Sequence, residues 1–308
     1  MYRNFSEIVE KARASQTRRV LAVAAAENEH VIEAVLKARR EGIADAILVG
    51  DAIKIRELIR SQDGDPADFE IVAADSAENA GQQAVDRIKT GKADILMKGI
   101  METRELLKPV VARENDLHTG RVMSHMAFFK LPNYPKLIVN TDGGMLVYPS
   151  LEDKQNIIIN AATTLRAMGY ACPKVAVLAG VENVNPKMIE TMEADQLKQM
   201  NLNGEIPDCI VEGPLSYDIA MDADIARYKG SDCPHSGDFD VLVVPNLAAG
   251  NILGKSWTVT AQAVMAGIIV GAKVPVVIVS RGSGCEEKYL SIALAAVAAD
   301  HNQAEGHG

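Results

Sequence analysis

The feature that most constrains this fold is a repeated alternation of short apolar runs with longer amphipathic stretches. In the first half, Arg19–Ala26 and Ala93–Met97 predict strands buried on both faces, and Val31–Arg40 between them carries apolar residues at helical spacing. The second half repeats this order with the apolar runs Val175–Leu178, Cys209–Val211, Val241–Val244 and Val276–Val279. A helix over Pro186–Met200, with the proline in its first turn, is predicted after the first of these runs. Strands that alternate with helices favour a parallel, doubly wound sheet, so the sequence predicts an α/β protein.

The length of the chain and one turn-rich segment predict two domains. Single hydrophobic cores seldom grow beyond about 250–300 residues, and this chain has 308. The segment Asn140–Gly144 (NTDGG) has strong turn chemistry and is the predicted boundary. We therefore expect a first α/β domain over residues 1–141 and a second over 142–283.

Charge and composition argue against several classes of protein. The formal net charge of −9 argues against nucleic-acid binding, which needs a basic surface. The charged N-terminus has no apolar segment typical of a secretory signal. The apolar region Val259–Val279 is interrupted by Gln262, Lys273 and Pro275, so it predicts a helix, a turn and a strand instead of a membrane span. No CxxC pair occurs among the four cysteines, Cys172, Cys209, Cys233 and Cys285. We therefore expect reduced thiols and a cytoplasmic protein.

The segment Val274–Lys288 has the strongest functional pattern in the sequence. Its buried strand ends at Ser280 and Arg281, a glycine-rich turn follows, and a helix begins with the carboxylates Glu286 and Glu287. Open α/β sheets bind ligands at the carboxyl ends of their strands. A hydroxyl, a guanidinium and a carboxylate within eight residues therefore predict a catalytic or binding site here.

Other strand ends carry polar or glycine residues and are expected at the same edge of the sheet. Asn246 with Gly250-Asn251, Lys98-Gly99 and Glu212-Gly213 all follow predicted strands. Glycines permit close approach of the backbone to a ligand, and helix starts bind phosphate. The sequence contains neither a GxxxxGK[ST] loop nor a GxGxxG after the first strand, so the common nucleotide-binding motifs are not supported.

Four segments in order resemble motifs of the phosphate acetyl/butyryltransferase family. They are VENVNPKM (181–188), EGPLSYDIA (212–220), VPNLAAGN (244–251) and VSRGSGCEEK (279–288). The first of them makes the chain most similar to the phosphate butyryltransferase branch. The resemblance extends from about Gly99 to the end of the last motif, and the total length fits.

The resemblance implies reversible acyl transfer between acyl-CoA and inorganic phosphate without an acyl-enzyme. Carried onto this chain, Glu287 removes the proton of the CoA thiol, Ser280 hydrogen-bonds the sulfur, and Arg281 stabilises the charge on the carbonyl oxygen and phosphate. A guanidinium suits phosphate oxygens because its donors form a fork. In the family's acetyl branch an aspartate usually stands at the position of Glu287, and an aspartate is also usual where Asn246 stands.

Further residues are candidates for substrate binding. The family motifs supply Asn246, Gly250, Asn251, Gly282 and Ser283. Basic and polar side chains nearer the start of the chain are further candidates for phosphate or CoA, with a solvated helix face or an interior role as the alternative: Arg104, Lys108, Arg121, Ser124 and His125.

The resemblance also implies a fold and an assembly. We expect two three-layer α/β/α domains with mainly parallel sheets, similar to isocitrate and isopropylmalate dehydrogenases, and an active-site cleft between them. The first domain would be completed by residues 284–308. A homodimer is expected, with acyl-CoA and phosphate as substrates, no tightly bound cofactor, no metal, and neither nucleic acid nor membrane as a partner.

Two alternatives remain open from the sequence. Asp218 and Asp222 lie four apart, and on one helical face they could hold Mg²⁺, as in a metal-dependent NAD(P) dehydrogenase of similar fold. A non-catalytic ligand-binding relative is the second alternative.

Two finer points are also open from the sequence. Cys285 could be an activated thiol at a helix start or a structural one. The acyl chain, butyryl or acetyl, is left open because each methylene contributes only about 1–3 kcal/mol of discrimination.

Overall fold

The computed structural model describes residues 1–279 and 282–299, in which strands and helices alternate as predicted. The strands are β1 (Arg19–Ala24), β2 (Ala44–Gly50), β3 (Glu70–Ala73), β4 (Ile95–Lys98), β5 (Ser124–Lys130), β6 (Leu137–Thr141), β7 (Lys174–Leu178), β8 (Ile210–Leu215), β9 (Val241–Val243), β10 (Val264–Val270) and β11 (Val276–Val277). The helices are α1 (Phe5–Arg13), α2 (Glu29–Arg40), α3 (Ala52–Ser61), α4 (Ala77–Lys89), α5 (Thr103–Val111), α6 (Leu151–Ala167), α7 (Ile189–Leu202), α8 (Tyr217–Met221), α9 (Ala223–Tyr228), α10 (Leu247–Thr260) and α11 (Cys285–Ala299).

The chain divides into two compact units. The central unit comprises Met1–Asn4 and Val122–Met265, and the terminal unit comprises Phe5–Arg121 together with the described residues from Ala266 onward. The predicted domain boundaries at 141/142 and 283/284 stay a prediction; the compact units divide the chain at other positions, since β5 and β6 lie in the central unit and β11 in the terminal one. The predicted cleft between domains also stays a prediction.

The terminal unit contains a mainly parallel sheet with strand order β3-β2-β1-β4-β11-β10. Only the pair β10–β11 in this series is antiparallel, with Ile269 opposite Val276. The chain runs outward from β1 to β3 and then returns on the other side of β1 with β4, which makes the carboxyl ends of β1 and β4 a topological switch point. A Cβ on Gly99 would lie 1.9 Å from the carbonyl oxygen of Ala25, so glycine is required where these two strand ends meet.

The central unit has the strand order β5-β6-β9-β7-β8. The hairpin of β5 and β6 is antiparallel, and the remaining pairs are parallel. Its core includes Phe129 and Trp257, whose rings pack edge to face with centroids 4.9 Å apart. The indole nitrogen of Trp257 donates to the hydroxyl of Tyr217 at 3.0 Å, so the buried polar atom is satisfied. The α/β class and the mainly parallel sheets are thus confirmed.

An ion pair is buried at the amino ends of the central strands. The Lys136 ammonium, 2% exposed, lies 2.6 Å from Asp240 Oδ1. Asp240 Oδ2 also accepts the backbone N–H of Lys174 at 2.8 Å. The pair therefore joins the starts of β6, β7 and β9, at the edge of the sheet opposite the strand ends where ligands are expected.

Two local predictions were wrong. The sequence predicts a helix from Pro186 to Met200, but α7 begins at Ile189 because Pro186 lies in a turn where Asn185 Oδ1 accepts the N–H of Lys187 at 3.0 Å. Within Val259–Val279 the structure adds a strand, β10, where only a helix, a turn and one strand were expected. A short apolar run such as VMAGIIV does not distinguish a buried strand from a helix by periodicity. In the part of the chain that the structure describes, no helix combines the length and apolarity needed to span a bilayer.

Candidate functional site

The strongest predicted motif lies at the start of α11 in the terminal unit. β11 supplies Val276 and Val277, and the helix begins at Cys285. Ser280 and Arg281, two of the three predicted catalytic residues, lie outside the described residues. Gly282 is exposed, whereas Ser283 is buried with 6% exposure. A Cβ on Gly282 would meet no atom within 4 Å, so packing within the described residues does not demand glycine at that position.

Glu287, the predicted base, has a half-buried carboxyl in the first turn of α11. Its Oε1 atom is fully buried and accepts no hydrogen bond from the described residues. Burial raises the pKa of Glu287 above its usual value, and the Ser283 hydroxyl and the Lys288 ammonium oppose that rise. A raised carboxyl pKa in a partly buried position is a common feature of general acids and bases.

The two residues before Glu287 behave differently. Glu286 is exposed, and Lys37 of α2 contacts its carboxylate at 2.7 Å, so it forms a surface ion pair. Cys285 is half-buried, and burial together with the neighbouring carboxylate of Glu33 raises the pKa of its thiol to about 11. An activated thiol needs a lowered pKa, so the structural interpretation of Cys285 is supported.

The motif PNLAAGN forms the start of α10 in the central unit. Asn246 is the N-cap of this helix, and its side-chain oxygen accepts the backbone N–H of Ala249 at 3.0 Å. Gly250 packs backbone to backbone on Gly143, since a Cβ on Gly250 would lie 2.7 Å from the Gly143 Cα. The Asn251 side chain reaches the Gly143 carbonyl at 3.5 Å. These predicted binding residues therefore fix the segment NTDGG against α10.

Asp142 organises the segment NTDGG and was not among the predicted site residues. Its buried carboxylate accepts the N–H groups of His125 at 3.1 Å and of Gly144 and Met145 at 2.7 Å. Burial lowers the pKa of His125, and the charge of Asp142 opposes that effect. The sequence carries a signal for this role, because Asp followed by Gly-Gly is typical of a side chain that bonds to the backbone of its own turn, although the segment was predicted only as a domain boundary.

The remaining predicted binding residues are spread over both units. Arg104 and Lys108 are exposed on α5, and Lys108 contacts Glu78 at 2.6 Å. Arg121 is half-buried, and its Nε atom has no hydrogen-bond partner among the described residues. In the central unit Ser124 is fully buried and accepts from Asn160 at 3.1 Å, which is an interior role. Substrate binding by these residues stays a prediction.

Lys98 lies at the switch point of the terminal sheet. It is 5% exposed, and its ammonium donates to the carbonyl oxygens of Met101 at 3.0 Å and Gly99 at 3.4 Å. A buried cation at the carboxyl end of β4 fits the predicted position for ligand-binding groups in this class of sheet.

Comparison with known proteins identifies the family. The phosphate acetyl/butaryl transferase family matches residues 4–87 and 73–296. The phosphate butyryltransferase of Clostridium acetobutylicum is 40% identical over 97% of this chain and 99% of its own length. The chain belongs to the phosphate acetyl/butaryl transferase family. The phosphate acetyltransferase of Thermotoga maritima is 39% identical over 94% of this chain and 98% of its own.

A solved structure supports the same assignment to the phosphate acetyl/butaryl transferases. The branched-chain phosphotransacylase from Enterococcus faecalis V583 superimposes with a TM-score of 0.81 at 31% identity, covering 92% of this chain and 99% of that one. The family resemblance inferred from four ordered motifs is therefore confirmed.

The acidic pair proposed for a dehydrogenase does not form one helical face, and this prediction was wrong. Asp218 lies on α8, whereas Asp222 is the N-cap of α9 and accepts the N–H groups of Asp224 and Ile225 at 2.8 and 3.0 Å. Lys229 contacts Asp218 at 2.8 Å, and hydrogen bonds from Lys229 and Ser216 lower the pKa of Asp218 to about 2. Asp222 closes α8 and begins α9, so the four-residue spacing does not place the two carboxylates on one face of a continuous helix.

An apolar pocket of about 420 Å³ opens in the central unit of this family member. It lies between the carboxyl ends of β7 and β9 and the helices α8 and α10. Its lining includes Leu178, Gly180, Tyr217, Pro245 and Leu253. Apolar pockets at strand ends are common positions for the apolar part of a small substrate.

Proposed function

We propose that this protein transfers a short acyl group, butyryl or acetyl, reversibly between acyl-CoA and inorganic phosphate to give acyl phosphate and CoA. Family membership over nearly the whole chain supports this activity. Relatives named phosphate butyryltransferase and phosphate acetyltransferase are 40% and 39% identical, so the choice between the two acyl groups stays open.

The observation that carries the proposal is the environment of Glu287. A buried carboxyl with a raised pKa follows directly on the turn of the SRGSG motif. An ordinary carboxyl is a poor proton acceptor for a thiol, whose pKa is about 8.5, and raising the carboxyl pKa narrows that gap. The raised pKa of Glu287 therefore supports its assignment to proton exchange with the CoA sulfur.

The proposed reaction balances with these groups. From acyl-CoA, a phosphate oxygen attacks the thioester carbonyl carbon, the carbon–sulfur bond breaks, and the CoA sulfur takes the proton of Glu287. In reverse, the Glu287 carboxylate takes the thiol proton and the sulfur attacks the carbonyl of the acyl phosphate. Ser280 bonding the sulfur and Arg281 binding the phosphate oxygens complete the scheme as the family resemblance implies. Neither a metal nor a tightly bound cofactor takes part in it.

A panel of acyl-CoA substrates tests this activity. Thiol release is measured from acetyl-, propionyl- and butyryl-CoA with and without phosphate, and acyl phosphate is trapped as the hydroxamate. We expect release only with phosphate, at a rate that depends on chain length. Thiol release at the same rate without phosphate would identify a thioesterase and contradict the proposal. Nicotinamide-dependent oxidation of a hydroxy acid would favour the dehydrogenase alternative.

We further infer a cytoplasmic homodimer. The resemblance supports the dimer, and α10 carries an exposed apolar side chain near its end, Val259 at 80%. Analytical ultracentrifugation at micromolar concentration should give twice the chain mass. A monomer at that concentration would refute the assembly without affecting the proposed reaction.

A further inference from the structure

Lys288 is a buried lysine in an otherwise apolar helix. From residue 288 to 299, every residue of α11 is buried, and Lys288 alone is charged. Its exposure is 5%. Burial of an ammonium is costly unless it is paired, and an exposed lysine on the surface would avoid this cost. Burial accordingly lowers the pKa of Lys288. The contacts of the buried ammonium therefore indicate what this charge does.

The ammonium of Lys288 holds the turn before the helix. Its Nζ atom donates to the backbone carbonyl of Ser283, which lies in the turn between β11 and α11. Ser283 is itself buried, so the turn folds back against the first helical residues. This contact fixes the main chain two residues beyond Arg281.

The same helical turn is fixed to the sheet by Ser291. The hydroxyl of Ser291 donates to the backbone carbonyl of Glu287 at 2.7 Å and accepts the N–H of Gly267 at 3.1 Å. Gly267 belongs to β10. Glu287 therefore lies between two restraints, one from Lys288 to the preceding turn and one from Ser291 to β10.

Among the residues that the structure describes, Lys288 is the cation whose charge acts on Glu287. Its positive charge opposes the rise in the pKa of Glu287. On other sides of the helix, Lys37 of α2 reaches Glu286, and Glu33 of α2 faces Cys285. Near the second helical turn, a chain of charged and polar contacts includes Arg13 of α1, Glu41 and Tyr289. On the strand side, β4 ends with Lys98.

We propose that Lys288 is a positioning residue for the reaction: it holds the turn 282–284 through the Ser283 carbonyl and keeps the Glu287 carboxylate ionised by its charge. The inference rests on the proposed function, in which Glu287 accepts the thiol proton. Lys288 contacts neither substrate in this account and acts through Glu287 and the turn.

The test compares Lys288→Gln with wild type. Glutamine retains a donor for the Ser283 carbonyl but removes the charge. We expect turnover from CoA and acyl phosphate to fall roughly tenfold to a hundredfold, and the acidic limb of the pH profile to move up by about one pH unit, because an ionised Glu287 loses its neighbouring cation. Lys288→Arg should keep the limb near its wild-type position.

Lys37→Met is the matched control, since Lys37 contacts the same helix from its surface through Glu286. It should leave both turnover and the acidic limb unchanged. A folded Lys288→Gln enzyme whose acidic limb stays at the wild-type pH would overturn the inference, even if its turnover were lower. A shift of the same size in Lys37→Met would overturn it as well.

A second measurement separates this inference from the proposed function. The carboxyl carbon of Glu287 is followed by NMR in protein labelled with ¹³C-glutamate, and the signal is assigned by its loss in Glu287→Gln. Its titration midpoint should be higher in Lys288→Gln than in wild type. If wild type shows no phosphate-dependent thiol release but the midpoint still moves, the proposed function fails while the coupling stands. An unchanged midpoint refutes the coupling regardless of activity.

Discussion

At the start of α11, burial acts on two neighbouring residues in opposite directions. It raises the pKa of Glu287 and lowers the pKa of Lys288, because in both cases the charged form loses contact with water. One residue earlier, Glu286 is exposed and paired with Lys37. The first helical turn thus separates a surface carboxylate from a half-buried one, and burial raises the pKa of the latter.

Glu287→Gln should lower turnover roughly a hundredfold to ten-thousandfold, since it removes a general acid–base group. The loss should be largest in the direction that starts from free CoA. In wild type, the rate in that direction should fall as the pH drops through the raised pKa of Glu287, because the carboxylate becomes protonated and no longer accepts a proton. The variant should lack this acidic limb.

Glu286→Gln is the control for this measurement, because it makes the same chemical change one residue away on an exposed side chain. Initial rates over a range of pH in both directions provide the comparison. Glu287→Gln with wild-type turnover from CoA would rule out the assigned base.

At the scale of elements, the start of α10 packs against the end of β6 and the segment that follows it. Asn140 Nδ2 donates to the Gly250 carbonyl at 2.8 Å, and the backbones of Gly250 and Gly143 are in direct contact. Asp142 holds the other end of the same segment. Two segments far apart in sequence are thereby packed against each other, which explains why glycine stands at position 250.

Gly250→Ala should destabilise the central unit by about 1–3 kcal/mol, because the added methyl overpacks a filled contact. The new Cβ would lie 2.7 Å from Gly143 Cα and 2.8 Å from a methyl of Val244, so backbone would have to move. Thermal unfolding measures the effect, and Ala248→Ser on the exposed side of α10 serves as the control. Equal melting temperatures for the two variants would show that the contact is not tight.

At the scale of the whole molecule, a buried ion pair and the candidate site lie at opposite ends of the central strands. The ion pair of Lys136 and Asp240 lies at the amino ends, and the motif residues lie at the carboxyl ends. Removing one partner of a buried pair leaves an uncompensated charge. Substitution of Lys136 should therefore lower the free energy of unfolding and leave catalysis unchanged.

Lys136→Met should cost about 3–5 kcal/mol and lower the melting temperature by roughly 10 °C. Lys108→Met, which breaks an exposed pair with Glu78, should cost no more than about 1 kcal/mol. Differential scanning calorimetry of both variants gives the comparison, and the folded Lys136→Met protein should keep its turnover. A melting temperature equal to that of Lys108→Met would mean that the buried pair contributes little.

Much of the fold was predictable because apolar periodicity reports burial directly. The strand at Arg19–Ala24 and the β/α order follow from it. What failed has local physical causes: the run Val264–Val270 is apolar throughout and has no diagnostic period, and Pro186 lies in a turn instead of a first helical turn. Of the site, sequence motifs located the start of α11, but the burial that distinguishes Glu287 from Glu286 depends on packing.

The sequence indicates the turn that Asp142 forms with Gly144 and Met145, but not its bond to a distant strand. Its partners include His125, seventeen residues earlier on β5, and that pairing requires the antiparallel hairpin. Similarly, the packing of Gly143 on Gly250 joins segments more than a hundred residues apart. Motif spacing indicates which residues are of interest but not which of them share a contact.

The central claim is reversible transfer between CoA and phosphate, and approach to equilibrium from both sides tests it most directly. One reaction starts from butyryl-CoA and phosphate, the other from butyryl phosphate and CoA. We predict that thiol and acyl phosphate change in equal amounts in each and that both reactions reach the same ratio. Loss of butyryl-CoA without formation of acyl phosphate, or no reaction from the butyryl phosphate side, would contradict the account.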